Sequence, residues 1–238
     1  MKYGHIVSGK LNRKVNRFIA EVFIEGVMEE VHIKNTGRLI ELLVPGAEVL
    51  LEESNNPKRK TKYSLIAVWK NGRLVNIDSQ VPNPVAFDAV KDGKLQEIGQ
   101  VERIKREVTY GNSRMDLYYE KKEERGFIEV KGVTLEKDGL AMFPDAPTKR
   151  GKKHVLELAA AVKEGYKAMI LFIIQMKGCH SFTPHVEMDQ EFARALHHAY
   201  KQGVQILAYD TVVTEDEIVL GEAIPVIWGD GFNGEGYM

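Results

Sequence analysis

Glu107, Asp116, Glu129 and Lys131 stand out because their types and spacing suit a metal-dependent site. They fall in segments that alternate as strands do, and side chains along a strand point to opposite faces in turn. Within FIEVK, residues 127–131, Glu129 and Lys131 share one face while Ile128 and Val130 take the other. The preceding SRMDLYY sets Met115 and Leu117 opposite Asp116 and Tyr118, and the charged, glycine-ended EKKEERG supplies a hairpin turn. Asp116 and Glu129 then lie side by side, with Lys131 facing the same site. Two converging carboxylates in a half-buried sheet are costly unless a cation or a raised pKa relieves them. A divalent metal held through oxygen ligands is the natural occupant.

A second chemistry is cationic. Arg13, Lys14, Arg17, Phe18, His32, Asn35 and Arg38 are followed by Lys58, Arg59, Lys60, Lys62 and Tyr63, so basic and aromatic residues interleave. Guanidinium and ammonium groups take phosphates while aromatic faces stack on bases, which suits a strand of nucleic acid. The alternative is a solvated loop and a core Phe18. Arg114 adds a cation beside the carboxylates, and Arg103, Lys105 and Arg106 form either a basic edge or phosphate contacts. Lys149, Arg150, Lys152, Lys153 and His154 crowd the start of an apolar helix, where cations oppose the macrodipole at a cost of up to about 1 kcal/mol each. An anion such as phosphate is expected there, with solvent screening as the alternative.

The elements that must position these groups are legible as short runs. HIVSGKL, RFIAEVFIEG, VMEEVHIKN, EVLLEES and KYSLIAVWKNGRLVNI are strand-sized, and Asn71-Gly72 marks a hairpin. TGRLIELLVPG predicts one or two helical turns capped by Thr36, so residues 1–82 read as a five-stranded OB-like barrel. Val81-Pro82-Asn83-Pro84 predicts an extended break, followed by a short helix and a shorter one. Residues 83–238 then run strands, helix, strand, helix, strand, predicting a three-layer α/β domain with a mixed sheet. KAMILFII is its doubly buried central strand, and Gln175 reads as a satisfied structural amide.

Composition bounds the rest. The chain of 238 residues is 44% hydrophobic, enough for a sizeable core. Residues 1–82 carry 13 Lys/Arg against 9 Asp/Glu, and residues 83–238 carry 20 against 25, which fits an anion-binding module joined to an acidic site. A single cysteine, Cys179, excludes an internal disulfide framework, and Cys179, His180 and His185 lack the fourth ligand of a zinc site. No GxSxG elbow, Walker loop or GxGxxG follows a strand, so hydrolase, NTPase and dinucleotide readings lack support. The apolar runs are too short to cross a bilayer, and a cytoplasmic protein without a membrane partner is expected.

The pieces RKVNRFIAEV, VHIKNTGRLIELLVPGAEVLLE, RKTKYSLIAV, EVTYGNSRMDLYY, IEVKGVTL and FPDAPTKRGKKHVLEL resemble the sugar fermentation stimulation protein family across nearly the whole chain. The resemblance implies an OB-like N-terminal domain, a restriction-endonuclease-like PD-(D/E)xK C-terminal domain, sequence-nonspecific DNA binding and a link to sugar metabolism. The nuclease pattern falls on Asp116 and on Glu129-Val130-Lys131, with Glu107 as an additional acid; Met115 stands where a proline often precedes the first acid. Asp116, Glu129 and Glu107 would hold Mg²⁺ or Mn²⁺, and Lys131 would orient the attacking water or neutralise transition-state charge. The alternative is a nuclease scaffold that binds DNA without cutting, as a regulator of sugar (maltose) utilisation genes. DNA against RNA, and monomer against homodimer, stay open.

Overall fold

The computed structural model describes residues 1–35 and 37–229. The N-terminal strands are β1 (Ile6–Lys14), β2 (Ile19–Ile24), β3 (Val27–Ile33), β4 (Glu48–Glu53), β5 (Tyr63–Lys70) and β6 (Arg73–Asn76). They run in the order β3-β2-β1-β4-β5-β6, and β3 also pairs in parallel with β5 through His32–Ser64 and Ile33–Leu65. Five strands therefore close into the expected barrel, with β6 as the hairpin extension of β5. Alternation sends Ala20, Val22, Val31, Ile33, Val49 and Leu51 into the core. At the β5–β6 turn Asn71 and Gly72 take φ of 51° and 74°, the paired left-handed geometry a two-residue hairpin requires.

The segment expected as helical turns differs. Residues 37–47 form turns, with the Leu42 and Leu43 amides returning to the Leu39 carbonyl at 3.2 and 2.8 Å. Leu39 has φ of 50°, which a right-handed helix does not tolerate. Leu39, Leu42 and Leu43 are instead buried in the barrel core, so packing overrides the helical spacing. Thr36, the expected cap, lies outside the described residues.

Val81-Pro82-Asn83-Pro84 is likewise not an extended break. Pro82 opens α1 (Pro82–Lys91), where its missing N–H costs nothing and its fixed φ suits the first turn. The shorter helix expected after Asp92-Gly93 is a run of turns. Beyond it stand β7 (Arg103–Tyr110), β8 (Ser113–Lys121), β9 (Glu124–Val133), β10 (Leu135–Lys137), β11 (Leu140–Phe143), α2 (Lys149–Lys163), β12 (Lys167–Ile174), β13 (Ser181–Pro184), α3 (Gln190–Lys201), β14 (Gln205–Val213) and β15 (Ile218–Ala223). Strand β7, whose Arg103, Lys105 and Arg106 are expected as a basic edge or as phosphate contacts, is the outer strand of the main sheet.

That sheet has the order β15-β14-β12-β9-β8-β7, with β12 parallel to both β9 and β14 and the outer pairs antiparallel. Met169, Leu171 and Ile173 of β12 pack with Val85 and Val90 of α1. Ile170, Phe172 and Ile174 pack on the other face with Val155 and Leu158 of α2 and Phe192 and Leu196 of α3. The domain therefore has the three layers expected. A small sheet, β10-β11-β13, borders it.

A polar seam joins the two parts. Gln175, buried at the end of β12, donates to Asn76 Oδ1 at 2.9 Å and to the Asp78 carbonyl at 3.1 Å, as a satisfied structural amide should. Glu136 of β10 meets Arg73 of β6 at 3.0 Å. The first residues also cross the seam: the Met1 amine donates to the Ile218 carbonyl and the Tyr3 amide to the Asp216 carbonyl, each at 2.8 Å.

Candidate active site

Strands β8 and β9 pair through Leu117–Ile128 and Tyr118–Phe127, so the next step along both strands carries Asp116 and Glu129. The simple alternation expected around Asp116 does not hold. Met115 packs in the cluster with Phe127 and α2, whereas Leu117 packs in the cluster with α1, so β8 changes face at Asp116. On the neighbouring β7, Glu107 lies between the pairs Arg106–Leu117 and Val108–Met115 and takes φ of 55°. A left-handed residue inside a strand costs energy and re-aims the chain locally.

Asp116 is half-buried. Its Oδ1 accepts from Asn83 Nδ2 in the first turn of α1 at 2.9 Å, and its Oδ2 accepts from the Val130 amide at 2.8 Å. Burial and then the charge of Glu129 push its pKa up, against the opposing pull of the Val130 amide. Glu129 is almost fully buried, and its Oε1 takes both Lys131 Nζ and His154 Nδ1 at 2.5 Å. Burial raises its pKa, but the bond with His154 and the Lys131 charge outweigh this and leave it below the ordinary value. Its second oxygen, Oε2, is buried with no hydrogen-bond partner.

That orphaned oxygen tests whether a cation fits. A buried carboxylate oxygen facing no donor is costly, and a divalent ion shared with the neighbouring Asp116 would relieve both carboxylates at once. The donor set is hard oxygen, which suits Mg²⁺ or Mn²⁺. Glu107 does not join it: its carboxylate is exposed and bonds Arg114 at 2.5 Å. Among the described residues no group of three or more His, Cys, Asp or Glu is arranged to hold a metal. The protein therefore brings two carboxylates and a lysine together, and a buried histidine with them. Sequence reading counted His154 only as one of the cations at the start of α2; its helical spacing from Arg150 does not disclose which strand it meets.

A cleft built by both domains reaches β9 one residue beyond Lys131, at Gly132. Asn35, Gly37 and Ser79 on one side and Gly132, Thr134, Asp145 and Gln175 on the other line a volume of about 240 Å³. Gly132 follows Lys131 directly, and a Cβ there would sit 2.5 Å from Gln175 Oε1 and 2.7 Å from Pro82 Cγ, so only glycine fits.

The expected phosphate-binding residues divide into committed and exposed ones. Arg13 is taken by both oxygens of Glu21, Asn35 by the Ile77 carbonyl and Gly37 amide, Arg59 by Ser64 and Arg114 by Glu107. Arg17, Phe18, Arg38 and Lys60 stand exposed on the barrel. On α2, Lys149 and Arg150 are exposed, Lys152 meets Glu191 at 3.0 Å, and Lys153 bonds the Asn112 carbonyl at 2.7 Å in the β7–β8 turn. Carboxylates of the protein thus answer part of the helix-start charge, Glu191 at Lys152 and Glu129 at His154. The Thr148 cap of α2 accepts from the Gly151 amide at 3.0 Å. Arg106 stacks 3.9 Å from the ring of Phe87, one turn beyond Asn83 on α1.

Fold and site together describe an OB-type barrel docked on a mixed-sheet α/β domain that carries a buried carboxylate–lysine–histidine cluster. A family model described as the sugar fermentation stimulation protein RE domain matches residues 80–217, and one described as the SfsA N-terminal OB domain matches residues 13–77. A sugar fermentation stimulation protein homolog from Alkaliphilus oremlandii is 54% identical over 231 residues, covering 95% of this chain and 98% of the relative. One from Desulfitobacterium hafniense is 52% identical over 226 residues, covering 95% and 98%. The solved structure of Pyrococcus furiosus SfsA in complex with Ca²⁺ is similar at TM-score 0.85 and 30% identity, over 95% of this chain and 98% of that one. The chain belongs to the sugar fermentation stimulation protein family. Among the described residues no helix is long and apolar enough to cross a membrane.

Proposed function

We propose that this protein is a cytoplasmic DNA-binding protein that hydrolyses phosphodiesters with Mg²⁺ or Mn²⁺. The observation that carries the reading is the buried, unpartnered Oε2 of Glu129 beside the Asp116 carboxylate. A structural ion pair is expected to satisfy both oxygens of a buried carboxylate. Asp116 and Glu129 would hold the cation, which when bound polarises a phosphodiester and lowers the pKa of an attacking water. Lys131, bonded to Glu129, would neutralise charge developing on the phosphate. Exposed Arg17, Arg38 and Lys60 on the barrel and Lys149 and Arg150 on α2 would take the flanking backbone without reading sequence. The Pyrococcus relative was solved in complex with Ca²⁺, which supports a divalent-cation reading.

A second reading, a DNA-binding regulator that does not cut, draws on the outward Glu107, which leaves only two carboxylates at the site. One experiment separates them. Labelled single-stranded DNA, duplex DNA and RNA are incubated with the protein in Mg²⁺, Mn²⁺ or EDTA, beside the Asp116→Asn and Glu129→Ala variants. Metal-dependent products that vanish in both variants establish cleavage; a mobility shift without products in any metal establishes the binder.

A further inference from the structure

We infer that His154 is a positioning residue, which donates to Oε1 of Glu129 in the tautomer imposed by Arg150 and so reserves Oε2 for the cation. This rests on the metal-site reading and deepens it. Arg150 and His154 lie one turn apart on α2, with Arg150 Nε 3.4 Å from His154 Nε2. A guanidinium N–H can only donate, so Nε2 must present its lone pair. With Nε2 accepting, the ring proton sits on Nδ1, which faces Glu129 Oε1. His154 is 4% exposed, so no solvent competes for either nitrogen.

The consequence lies in the asymmetry of Glu129. Two donors, Lys131 Nζ and His154 Nδ1, converge on Oε1, while Oε2 is buried with none. A carboxylate pinned through one oxygen cannot rotate freely, and its other oxygen is held in a fixed direction. In an ion pair serving stability alone the two donors, from Lys131 and His154, would be expected to divide between the two oxygens. The helix is itself fixed at this end, since the Thr148 amide donates to Asp189 Oδ2 at 2.7 Å, tying the start of α2 to the cap of α3. Arg150 is an exposed residue whose Nε faces the histidine.

The test uses the full chain. Nitrogen-15 spectra of ring-labelled histidine in metal-free protein are expected to show His154 with Nδ1 protonated and Nε2 bare, and Arg150→Ala is expected to mix the tautomers. Mn²⁺ affinity is measured by calorimetry on wild type and two variants. His154→Asn, whose amide nitrogen replaces Nδ1, should stay within about 3-fold of wild type, whereas His154→Leu should bind ~10- to 100-fold more weakly. The opposite tautomer, or equal losses in the two variants, overturns the role of His154. If His154→Leu fails to fold, the wild-type tautomer and the Asn variant decide. Wild-type protein that binds no Mn²⁺ overturns the metal reading, and with it the purpose assigned to Oε2; a wrong tautomer in a chain that does bind Mn²⁺ overturns the His154 role alone.

Discussion

Glu21 on the barrel and Glu129 in the C-terminal sheet are both held by strong donors, yet they are held differently. Glu21 has each oxygen answered: Oε1 by Arg13 Nη2 at 2.7 Å, and Oε2 by Arg13 Nε and Asn12 Nδ2 at 2.8 Å each. The bonds from Arg13 and Asn12 hold its carboxyl at about 2. Glu129 has both donors on one oxygen and nothing on the other, in a place water does not reach. A carboxylate satisfied on both sides is finished, and one satisfied on one side has capacity for a ligand. Charge pairing alone therefore does not mark a site; at Glu129 the unanswered oxygen lies beside a second carboxylate, Asp116, and it is that combination that suits a cation.

The largest way to break this contrast is chemical. Asp116→Asn and Glu129→Gln should each lower metal-dependent cleavage by ~10²-fold or more, as loss of a centred electrostatic group does, while Glu21→Gln leaves the rate unchanged. Cleavage unaffected by either site substitution would place the chemistry elsewhere.

Stability should separate the two next. Lys131→Met removes a donor from a buried charge, and urea unfolding should show a loss of about 3 kcal/mol. The same change at exposed Arg13 should scarcely move the midpoint. Equal shifts in the two variants would dissolve the contrast.

A third carboxylate, Glu136, sharpens it through pH. Burial raises its pKa, but the Gly139 amide and then Arg73 and Lys70 outweigh this and hold it below the ordinary value. A depressed carboxylate stabilises the fold above its unfolded pKa and loses that contribution as pH falls through the lower folded value. Urea midpoints should therefore drop on acidification below about pH 4, near the unfolded carboxylate range, and Glu136→Gln should flatten that drop. Because Glu136 bridges to β6, a parallel course in wild type and variant would show that the seam does not depend on this charge.

The smallest effect concerns salt. Arg17→Ala, Arg38→Ala and Lys60→Ala should each reduce the slope of log affinity for DNA against log salt by about 1, whereas Arg13, already committed to Glu21, should change it little. An equal change at Arg13 would mean that the ion pair opens on binding.

Much of the frame was legible in the sequence because it depends on short-range rules. Period-two runs gave the barrel strands, Asn71-Gly72 gave a turn, and the continuous apolar run from Ala168 could only be a strand covered on both faces. The misreadings share a cause. Leu39 left the helical region because three leucines pack into the barrel, Pro82 started a helix because α1 had a sheet to cover, and β7 gained strand order by pairing with β8. Each was decided by a partner distant in sequence.

The same division runs through the site. Alternation within residues 127–131 determined that Glu129 and Lys131 share a face, since two residues of spacing leaves a strand no choice. Only the tertiary structure decided the rest. The change of face at Asp116, the outward turn of Glu107 to Arg114, and the approach of His154 from α2 depend on how three strands and two helices pack. The empty side of Glu129 depends on that packing as well. A sequence lists donors and acceptors in chain order, but which oxygen each donor reaches is set by the geometry that folding imposes.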